Sequence, residues 1–156
     1  MFQGHVVAIF VTPAAAAPME PRDRVDAIAG EGLAGDRYAT RSGTYTGFRV
    51  DDAKRALTLI EREAVEAAAA EAGITIDEVE TRRNLVTVGV PLNHLVGHEF
   101  TVGPVRLRGV NLSEPCAHLE RLTRPGVRSA LIHRGGLRAE ILTGGPIGVG
   151  DRVQPA

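Results

Sequence analysis

Apolar positions along the first third of the chain follow the short spacing of β-strands. Residues 4–11 form an apolar, β-branched run that predicts a first buried strand, and Thr12 and Pro13 end it. The Ala- and Pro-rich stretch up to Pro21 predicts a loop, and residues 25–28 predict a second, shorter strand. We therefore expect strands to lead the architecture from the start.

Only a few segments have the composition of α-helices. Four are predicted, at residues 61–72, 74–80, 113–122 and 125–133. The first follows a loosely alternating strand at 55–60, consists almost entirely of strong helix formers and is stopped by Gly73. The second would be capped by Thr75, and the third opened by Ser113. These helices are short compared with the chain, so they are expected to pack on a sheet.

The remaining sequence alternates between strands and glycine-bearing turns. Residues 31–38 predict a turn, because they contain two glycines three positions apart and an aspartate. Residues 39–52 predict a polar loop. Residues 85–88 predict a strand, 100–110 a hairpin around Gly103 and Pro104, and 137–142 with 149–153 a closing hairpin. The fold class that follows is mainly β, a β-rich α+β protein. We expect a closed or nearly closed β-barrel with a few packed helices, in a single domain over residues 1–156.

Composition supports this fold and excludes some functions. The chain has 44% hydrophobic and 24% charged residues, which is typical of a folded globular protein. Eighteen glycines and nine prolines, against four Phe, two Tyr and no Trp, favour many short elements. A net charge of -1, with no basic run or aromatic platform, argues against nucleic acid as a partner.

The N-terminus and the single cysteine indicate a compartment. Residues 6–11 lack a preceding basic region, and no apolar segment approaches the ~20 residues of a membrane span. One cysteine excludes an internal disulfide and fits a reducing environment. We expect a soluble, cytoplasmic protein without a membrane partner.

That cysteine, Cys116, has a sequence setting that permits chemistry. If Ser113 caps a helix with Pro115 in its first turn, Cys116 occupies the third helical position, where backbone amides favour a thiolate. Glu114 opposes this effect, and an inert, packed cysteine remains the alternative interpretation. His118, two positions later, would point to the other side of such a helix.

Four segments in order resemble the MOSC domain family. This module occurs at the C-terminus of molybdenum cofactor sulfurases, in amidoxime-reducing molybdenum enzymes and as small free-standing bacterial proteins. The similar segments are the glycine–aspartate turn at 32–38, the arginine–asparagine strand entry at 82–86, the cysteine motif at 111–116 and the C-terminal hairpin from 136–139 to 148–153. Many relatives end the first segment in His, whereas this chain has Tyr38.

The resemblance implies a molybdenum cofactor and roles for particular residues. Cys116 would be the catalytic residue and metal ligand, because soft thiolate sulfur suits molybdenum already held by a dithiolene. The expected cofactor-binding residues are Arg82, Arg83, Asn84, Asp36, Arg37 and Arg138. Arginine forks suit the phosphate of molybdopterin. For Arg82 and Arg83 a solvated helix end, for Asp36 a turn-only role, and for Arg138 a water-facing strand position remain alternatives.

Three functions of different classes follow from these residues. The resemblance implies a molybdenum-dependent oxidoreductase that reduces N-hydroxylated compounds with electrons from a separate donor protein. The alternative is a sulfur carrier, in which Cys116 holds a persulfide supplied by a cysteine desulfurase or presents the cofactor without turnover. The third is a barrel with a structural cysteine and no cofactor. No independent pyridoxal phosphate site is expected, because Lys54, the only lysine, has no phosphate-binding loop beside it.

Overall fold

The computed structural model describes residues 1–43 and 52–156, apart from the side chain of Asp52. The described strands are β1 Gly4–Val11, β2 Glu20–Arg22, β3 Arg24–Ile28, β4 Gly32–Leu33, β5 Leu57–Glu61, β6 Leu85–Val88, β7 Glu99–Val102, β8 Val105–Leu112, β9 Leu137–Thr143, β10 Gly145–Gly148 and β11 Arg152–Pro155. The α-helices are α1 Arg62–Ala72, α2 Ala117–Leu122 and α3 Val127–Ala130, and 3-10 turns lie at Asp52–Arg55, Glu78–Thr81 and Leu92–Leu95. Among these helices, none is long and apolar enough to cross a membrane.

Seven of the strands close into a β-barrel. The order is β11-β7-β8-β9-β5-β6-β1, and β1 pairs with β11 to complete the ring, while β2 pairs with β1 outside it. β5 and β6 are parallel, and the other neighbours are antiparallel. A separate small sheet contains β10, β3 and β4. The predicted fold class, a β-rich protein with a closed barrel and few helices, is confirmed.

Strand alternation fills the barrel with aliphatic side chains. On β9, Leu137, Ala139 and Ile141 are buried in the main core, whereas Arg138 and Glu140 between them are half-buried and point outward. Phe100 on β7 is completely buried in the same core. The interior is therefore packed, and polar chemistry is left to the outer wall of the barrel.

The helices cover one side of that wall. Because parallel neighbours need a crossover, the chain leaves β5, runs through α1 and the Glu78–Thr81 turn, and returns as β6. Outward-facing Ile60 and Val86 pack with residues of α1, α2 and α3 in a second apolar cluster. This crossover brings the arginine–asparagine segment to the start of β6.

Close backbone approach explains one glycine at the start of β9. Gly136 has a φ of +106°, and a Cβ at this position would lie 2.1 Å from the carbonyl oxygen of Leu59 on β5. Only glycine allows the two strands to come together here. The approach brings β9 alongside β5, with Arg138 opposite Thr58.

Several predicted elements differ from the structure. The closing hairpin of 137–142 with 149–153 is wrong, because β9 pairs with β8 and β5, whereas β11 pairs with β7 and β1. The chain between them forms β10, which pairs with β3 in the small sheet. Alternation predicts strands but not their partners.

The predicted boundaries of two helices and one loop also differ from the structure. The helix predicted from Ser113 begins only after Cys116, since residues 113–116 have no regular secondary structure and the backbone of Cys116 is extended. The helix predicted over 74–80 is a 3-10 turn at Glu78–Thr81, capped by Asp77 rather than Thr75 through a reciprocal capping box with Glu80. The loop predicted up to Pro21 contains part of β2, an edge strand where proline is tolerated. Of the predicted loop at 39–52, residues 44–51 lie outside the described residues.

Candidate functional site

Cys116 lies on the outer side of the barrel, where the chain passes from β8 to α2. Its backbone is extended, with φ -133° and ψ 172°, and it is the residue before the first turn of α2 rather than the third residue of a helix. The side chain is half-buried and packs on the edge of the helix-side apolar cluster. The thiol is thus held by packing while part of it faces the surface.

A small cleft surrounds this cysteine, which we name the Cys116 cleft. It has a volume of about 40 Å³. Its lining residues are Arg37, Tyr38, Arg82, Arg83, Cys116, His118 and Leu119. The cleft therefore joins three of the predicted arginines to the predicted cysteine, although they come from three distant parts of the sequence.

Arg83 is the structural centre of this group. Its guanidinium donates to three backbone carbonyls: Gly135 at 2.7 Å, Ser113 at 2.8 Å and Thr81 at 3.2 Å. Two of these carbonyls belong to the segments that enter the cysteine loop and β9. Arg83 therefore fixes the chain just before Cys116.

The electrostatic surroundings of Arg83 reflect the same position. Burial lowers its pKa to about 10, and the nearby charges of Arg138 and Arg37 act in the same direction. Negative charge on the side chains of Tyr38 and Cys116 opposes this by raising the pKa, because it stabilises the guanidinium cation. Arg83 remains protonated at neutral pH and attracts negative charge at the sulfur of Cys116.

Asp36 and Arg37 support the cleft from the early turn. The carboxylate of Asp36 is completely buried and accepts from the backbone N–H groups of Thr12 and Tyr38 at 3.1 and 3.3 Å. It also accepts from Arg37 at 3.2 Å. Arg37 in turn donates to the carbonyl of Arg82 at 3.0 Å and lies 4.5 Å from the ring centre of Tyr38. In this conformation Asp36 orients Arg37, and Arg37 forms one wall of the cleft.

Arg82 closes the Glu78–Thr81 turn in a left-handed conformation, with φ +59°. Its guanidinium donates to the carbonyl of Ala17 at 2.8 Å. Burial lowers its pKa, and the positive charge of Arg37 adds to that effect. This accumulation of buried positive charge makes the cleft attractive to an anion.

Asn84 lies behind the cleft. Its side chain is completely buried and joins three strands, accepting from the backbone N–H and hydroxyl of Thr58 at 3.1 and 3.2 Å and donating to the carbonyl of Phe10 at 3.1 Å. With these bonds made, Asn84 is placed to hold the Arg82–Arg83 segment against the barrel.

Arg138 lines a different and larger depression, which we name the Arg138 cavity. Its volume is about 330 Å³. The described lining residues are Lys54, Arg55, Val110, Asn111, Leu112, Glu114 and Arg138. Arg138 thus lines a different depression from Arg37, Arg82 and Arg83, although its charge acts on Arg83.

His118 and Tyr38 are wall residues that the sequence did not assign to the cleft. His118 was predicted to point away from Cys116 because a continuous helix was assumed. Since α2 begins only after Cys116, the two side chains line the same cleft. The residue at which a helix begins leaves no signal in the hydrophobic periodicity. The sequence alone therefore did not place His118 beside Cys116.

The donor set argues against a metal held by protein ligands alone. Within residues 1–43 and 52–156, no group of three or more His, Cys, Asp or Glu side chains is placed to hold a metal ion. A single soft thiolate in a cationic cleft suits instead a metal that brings most of its own ligands. The residues present therefore fit the molybdenum end of a dithiolene cofactor.

Comparisons of the fold agree with this architecture. The structure of YuaD from Bacillus subtilis is similar with a TM-score of 0.81 and 16% identity, covering 98% of this chain and 97% of that one. YiiM from Geobacillus stearothermophilus gives 0.71 and 15%, with coverage of 98% and 75%. YiiM from Escherichia coli gives 0.67 and 17%, with coverage of 100% and 70%. At these identities the likeness establishes the fold.

Sequence comparison identifies the family. A search of curated proteins found no match. The family profile described as MOSC domain, however, matches residues 32–154, which include the early turn, the arginine–asparagine segment, the cysteine loop and the last strand. This match spans most of the chain and agrees with the barrel topology, so the chain belongs to the MOSC domain family.

Proposed function

We propose that this protein binds a molybdenum cofactor, with the thiolate of Cys116 as the protein ligand of the metal. The observation that carries this proposal is the meeting of Cys116 with Arg37, Arg82 and Arg83 in one cleft. MOSC domains are associated with this cofactor, and a thiolate that shares a cleft with three guanidinium groups matches its soft metal and its negative charge.

The residues of the cleft have separate tasks in this proposal. Cys116 supplies the donor atom, and Arg83 holds the cysteine loop and attracts the anionic ligand set. Arg37 and Arg82 add positive charge, whereas Asp36 and Asn84 are positioning residues that fix these arginines. When bound, the cofactor would supply two-electron redox chemistry.

A reductase of N-hydroxylated compounds is the activity we infer for the loaded protein. Such a reaction needs electrons, and a separate donor protein would supply them. His118 faces the cleft and can exchange a proton with a ligand there. The cleft is too small to enclose a substrate, so the substrate would approach from the open side.

The second candidate is a sulfur carrier, favoured by the partly exposed position of Cys116 at the start of α2. In that reaction the thiolate of Cys116 attacks the terminal sulfur of a desulfurase persulfide. The bond between the two desulfurase sulfurs breaks, a persulfide forms on Cys116, and the desulfurase thiolate leaves. No net oxidant is needed because sulfur moves at a constant total oxidation level.

Reconstitution separates the two candidates. The protein and its Cys116→Ala variant are loaded with molybdenum cofactor, and retained molybdenum is measured after gel filtration. We expect retention by the wild type and at least a tenfold loss in the variant, since a metal–thiolate bond is removed. The melting temperature of both proteins serves as the control for folding. Equal retention would exclude Cys116 as the ligand.

The carrier function has its own measurement. Incubation with a cysteine desulfurase and cysteine should add one sulfur atom to the intact mass of the wild type and none to that of Cys116→Ala. A sulfur adduct together with equal metal retention would select the carrier function over the ligand function.

A further inference from the structure

Two segments that are distant in the sequence form opposite walls of the Cys116 cleft. Arg82 and Arg83 line it just after the Glu78–Thr81 turn, and Cys116 lines it together with the first turn of α2. The volume of about 40 Å³ has room for only a few water molecules. A larger ligand can therefore enter the cleft only if these two walls separate.

One end of the cleft is held by Arg83. Its guanidinium donates to the carbonyl of Thr81 at 3.2 Å, in the turn, and to the carbonyl of Ser113 at 2.8 Å, in the loop that leads to Cys116. Hydrogen bonds from a charged donor are among the stronger ones in proteins. At this end the two walls are thus joined through one side chain.

The other end is joined by a more exposed contact. Arg124, two residues after the end of α2, donates to both carboxylate oxygens of Glu80, at 2.9 and 2.5 Å. It also donates to the carbonyl of Thr75. The side chains of Arg124 and Glu80 are 36% and 25% exposed, so water and salt reach the ion pair and weaken it. The far end of α2 is therefore held to the Glu78–Thr81 turn by a contact that solvent can break.

The helix between these two ends is short and begins directly after the cysteine. The carbonyl of Cys116 accepts from the backbone N–H of Glu120 at 3.2 Å. Among the six residues of α2, each of which the structure describes, Leu119 alone is buried. A single buried side chain is a small anchor, so α2 can shift as a unit while Arg83 keeps the preceding loop in place.

We propose that Glu80 and Arg124 are positioning residues that control access to Cys116. While they are paired, α2 lies against the Glu78–Thr81 turn and the cleft is closed. When the pair separates, α2 moves away from the turn about the end held by Arg83, and the cleft admits a larger ligand. This control of access does not depend on which ligand enters, whereas the identity of that ligand as a molybdenum cofactor rests on the proposed function.

Alkylation of Cys116, the single cysteine, measures access in the cofactor-free protein. Rates are followed by intact mass with a small reagent, iodoacetamide, and a bulky one, fluorescein maleimide. Opening of the cleft raises the ratio of the bulky to the small rate, whereas a more reactive thiol would raise both rates. We expect Arg124→Gln and Glu80→Gln to raise this ratio about two- to fivefold, the range for loss of one exposed ion pair. Arg124→Lys, which keeps the charge, should raise it less.

Glu80→Gln is chosen because it removes the charge and keeps the local turn. One carboxylate oxygen of Glu80 accepts from the backbone N–H of Asp77 at 3.1 Å, and an amide oxygen can take its place in this capping box. Salt gives an independent readout of the pair. About 0.5 M salt should raise the ratio in the wild type and have less effect in Arg124→Gln.

Arg62→Gln is the matched control. Arg62 pairs with Glu78 in the same turn, and their side chains are 37% and 22% exposed, but Arg62 belongs to α1 rather than to the segment after α2. The ratio of the two rates should be unchanged in this variant. Equal ratios in the wild type and Arg124→Gln would overturn the proposal. So would an equal increase in Arg62→Gln, because it would indicate a general loosening of the turn.

Loading with molybdenum cofactor separates this inference from the proposed function. If the cofactor enters through the opened cleft, Arg124→Gln should load faster than the wild type by about the factor seen in alkylation. An unchanged loading rate would show that the cofactor does not pass between these walls. If the wild type retains no molybdenum, the proposed function fails, and the alkylation ratios still decide whether the pair controls access to Cys116.

Discussion

Arg83 has a structural task that its residue type alone does not reveal. Its three carbonyl acceptors belong to three chain segments, so one side chain ties the strand entry, the cysteine loop and the start of β9. Hydrogen bonds from a charged donor are the stronger kind, and three buried carbonyls lose their partner together if the guanidinium is removed. The cleft depends on this residue twice, for its shape and for its charge.

Substitution of Arg83 tests the structural task. We expect Arg83→Met to lower the free energy of unfolding by about 3 kcal/mol, because the buried carbonyls are left unpaired. Urea denaturation measures the change. Arg83→Lys, which keeps the charge but loses the fork, should fall between the two, and exposed Arg106→Met should change stability by less than about 0.5 kcal/mol. If the Arg83→Met protein were as stable as the Arg106→Met protein, Arg83 would not have this structural task.

The sequence indicated the residues of the cleft better than their roles. Cys116, Arg37, Arg82 and Arg83 were predicted and do lie together. Asn84 and Asp36 were expected at the cofactor, whereas their side chains bond to the backbone behind it. A motif shows that a polar residue is required at a position, but hydrogen-bond partners 24 to 74 residues away are not visible in local spacing.

At the scale of elements, the approach of β9 to β5 decides where the site forms. Gly136 allows this contact both through its positive φ and through its missing side chain. We expect Gly136→Ala to cost more than about 3 kcal/mol, since a Cβ 2.1 Å from a carbonyl forces the strands apart.

Gly30→Ala is the matched control for that substitution. Gly30 also has a positive φ, of +72°, but a Cβ there meets nothing within 4 Å. Its cost should be only the backbone strain of about 1 kcal/mol. Thermal denaturation of both variants separates strain from steric conflict, and equal losses would show that the strand approach is not tight.

The link between the Glu78–Thr81 turn and the end of α2 predicts a pH dependence. Arg124 donates to both carboxylate oxygens of Glu80, at 2.9 and 2.5 Å, and this pairing lowers the pKa of Glu80. A lowered pKa in the folded state means that the stabilisation is present above the unfolded pKa of about 4.3 and is lost as the pH falls below it.

The Glu80→Gln variant tests this dependence. It should be slightly less stable than the wild type at pH 7, because exposed ion pairs contribute little, and the difference should shrink as the pH falls through the lowered pKa of Glu80. Denaturation midpoints at several pH values give the comparison. A difference that stays constant across the acid range would assign the effect to packing or capping rather than to charge.

The sequence predicted strands and helices correctly where one face of the element is buried. It did not predict which strands pair with each other. The strands at 4–11 and 85–88 and the helix stopped by Gly73 follow from their own patterns. The pairing of β11 with β1 and of β10 with β3 depends on contacts between distant segments. For the same reason the sequence suggested a barrel but not its strand order.

At the scale of the whole molecule, closure of the barrel rests on its last strand. β11 pairs with β7 on one side and β1 on the other, and its Val153 is completely buried in the core. Deletion of residues 152–156 should therefore remove about 5 kcal/mol or more, comparable with the whole stability of a small domain. Removal of exposed Ala156 alone should be nearly neutral, and hydrogen exchange of β7 and β1 reports the difference. If the amides of β7 and β1 stay protected from hydrogen exchange after the deletion, the barrel does not need β11 to close.

The crossover between the parallel strands β5 and β6 brings to the cleft arginines whose partners lie far away along the chain. Its arginines bond to partners 30 to 65 residues away along the chain, at Ser113, Gly135 and Ala17. Each of these bonds forms only when its two distant segments lie together on the same wall. The cleft that we propose for the cofactor is thus complete only when these distant segments have come together, so an incompletely folded chain should offer so reactive a cargo no site.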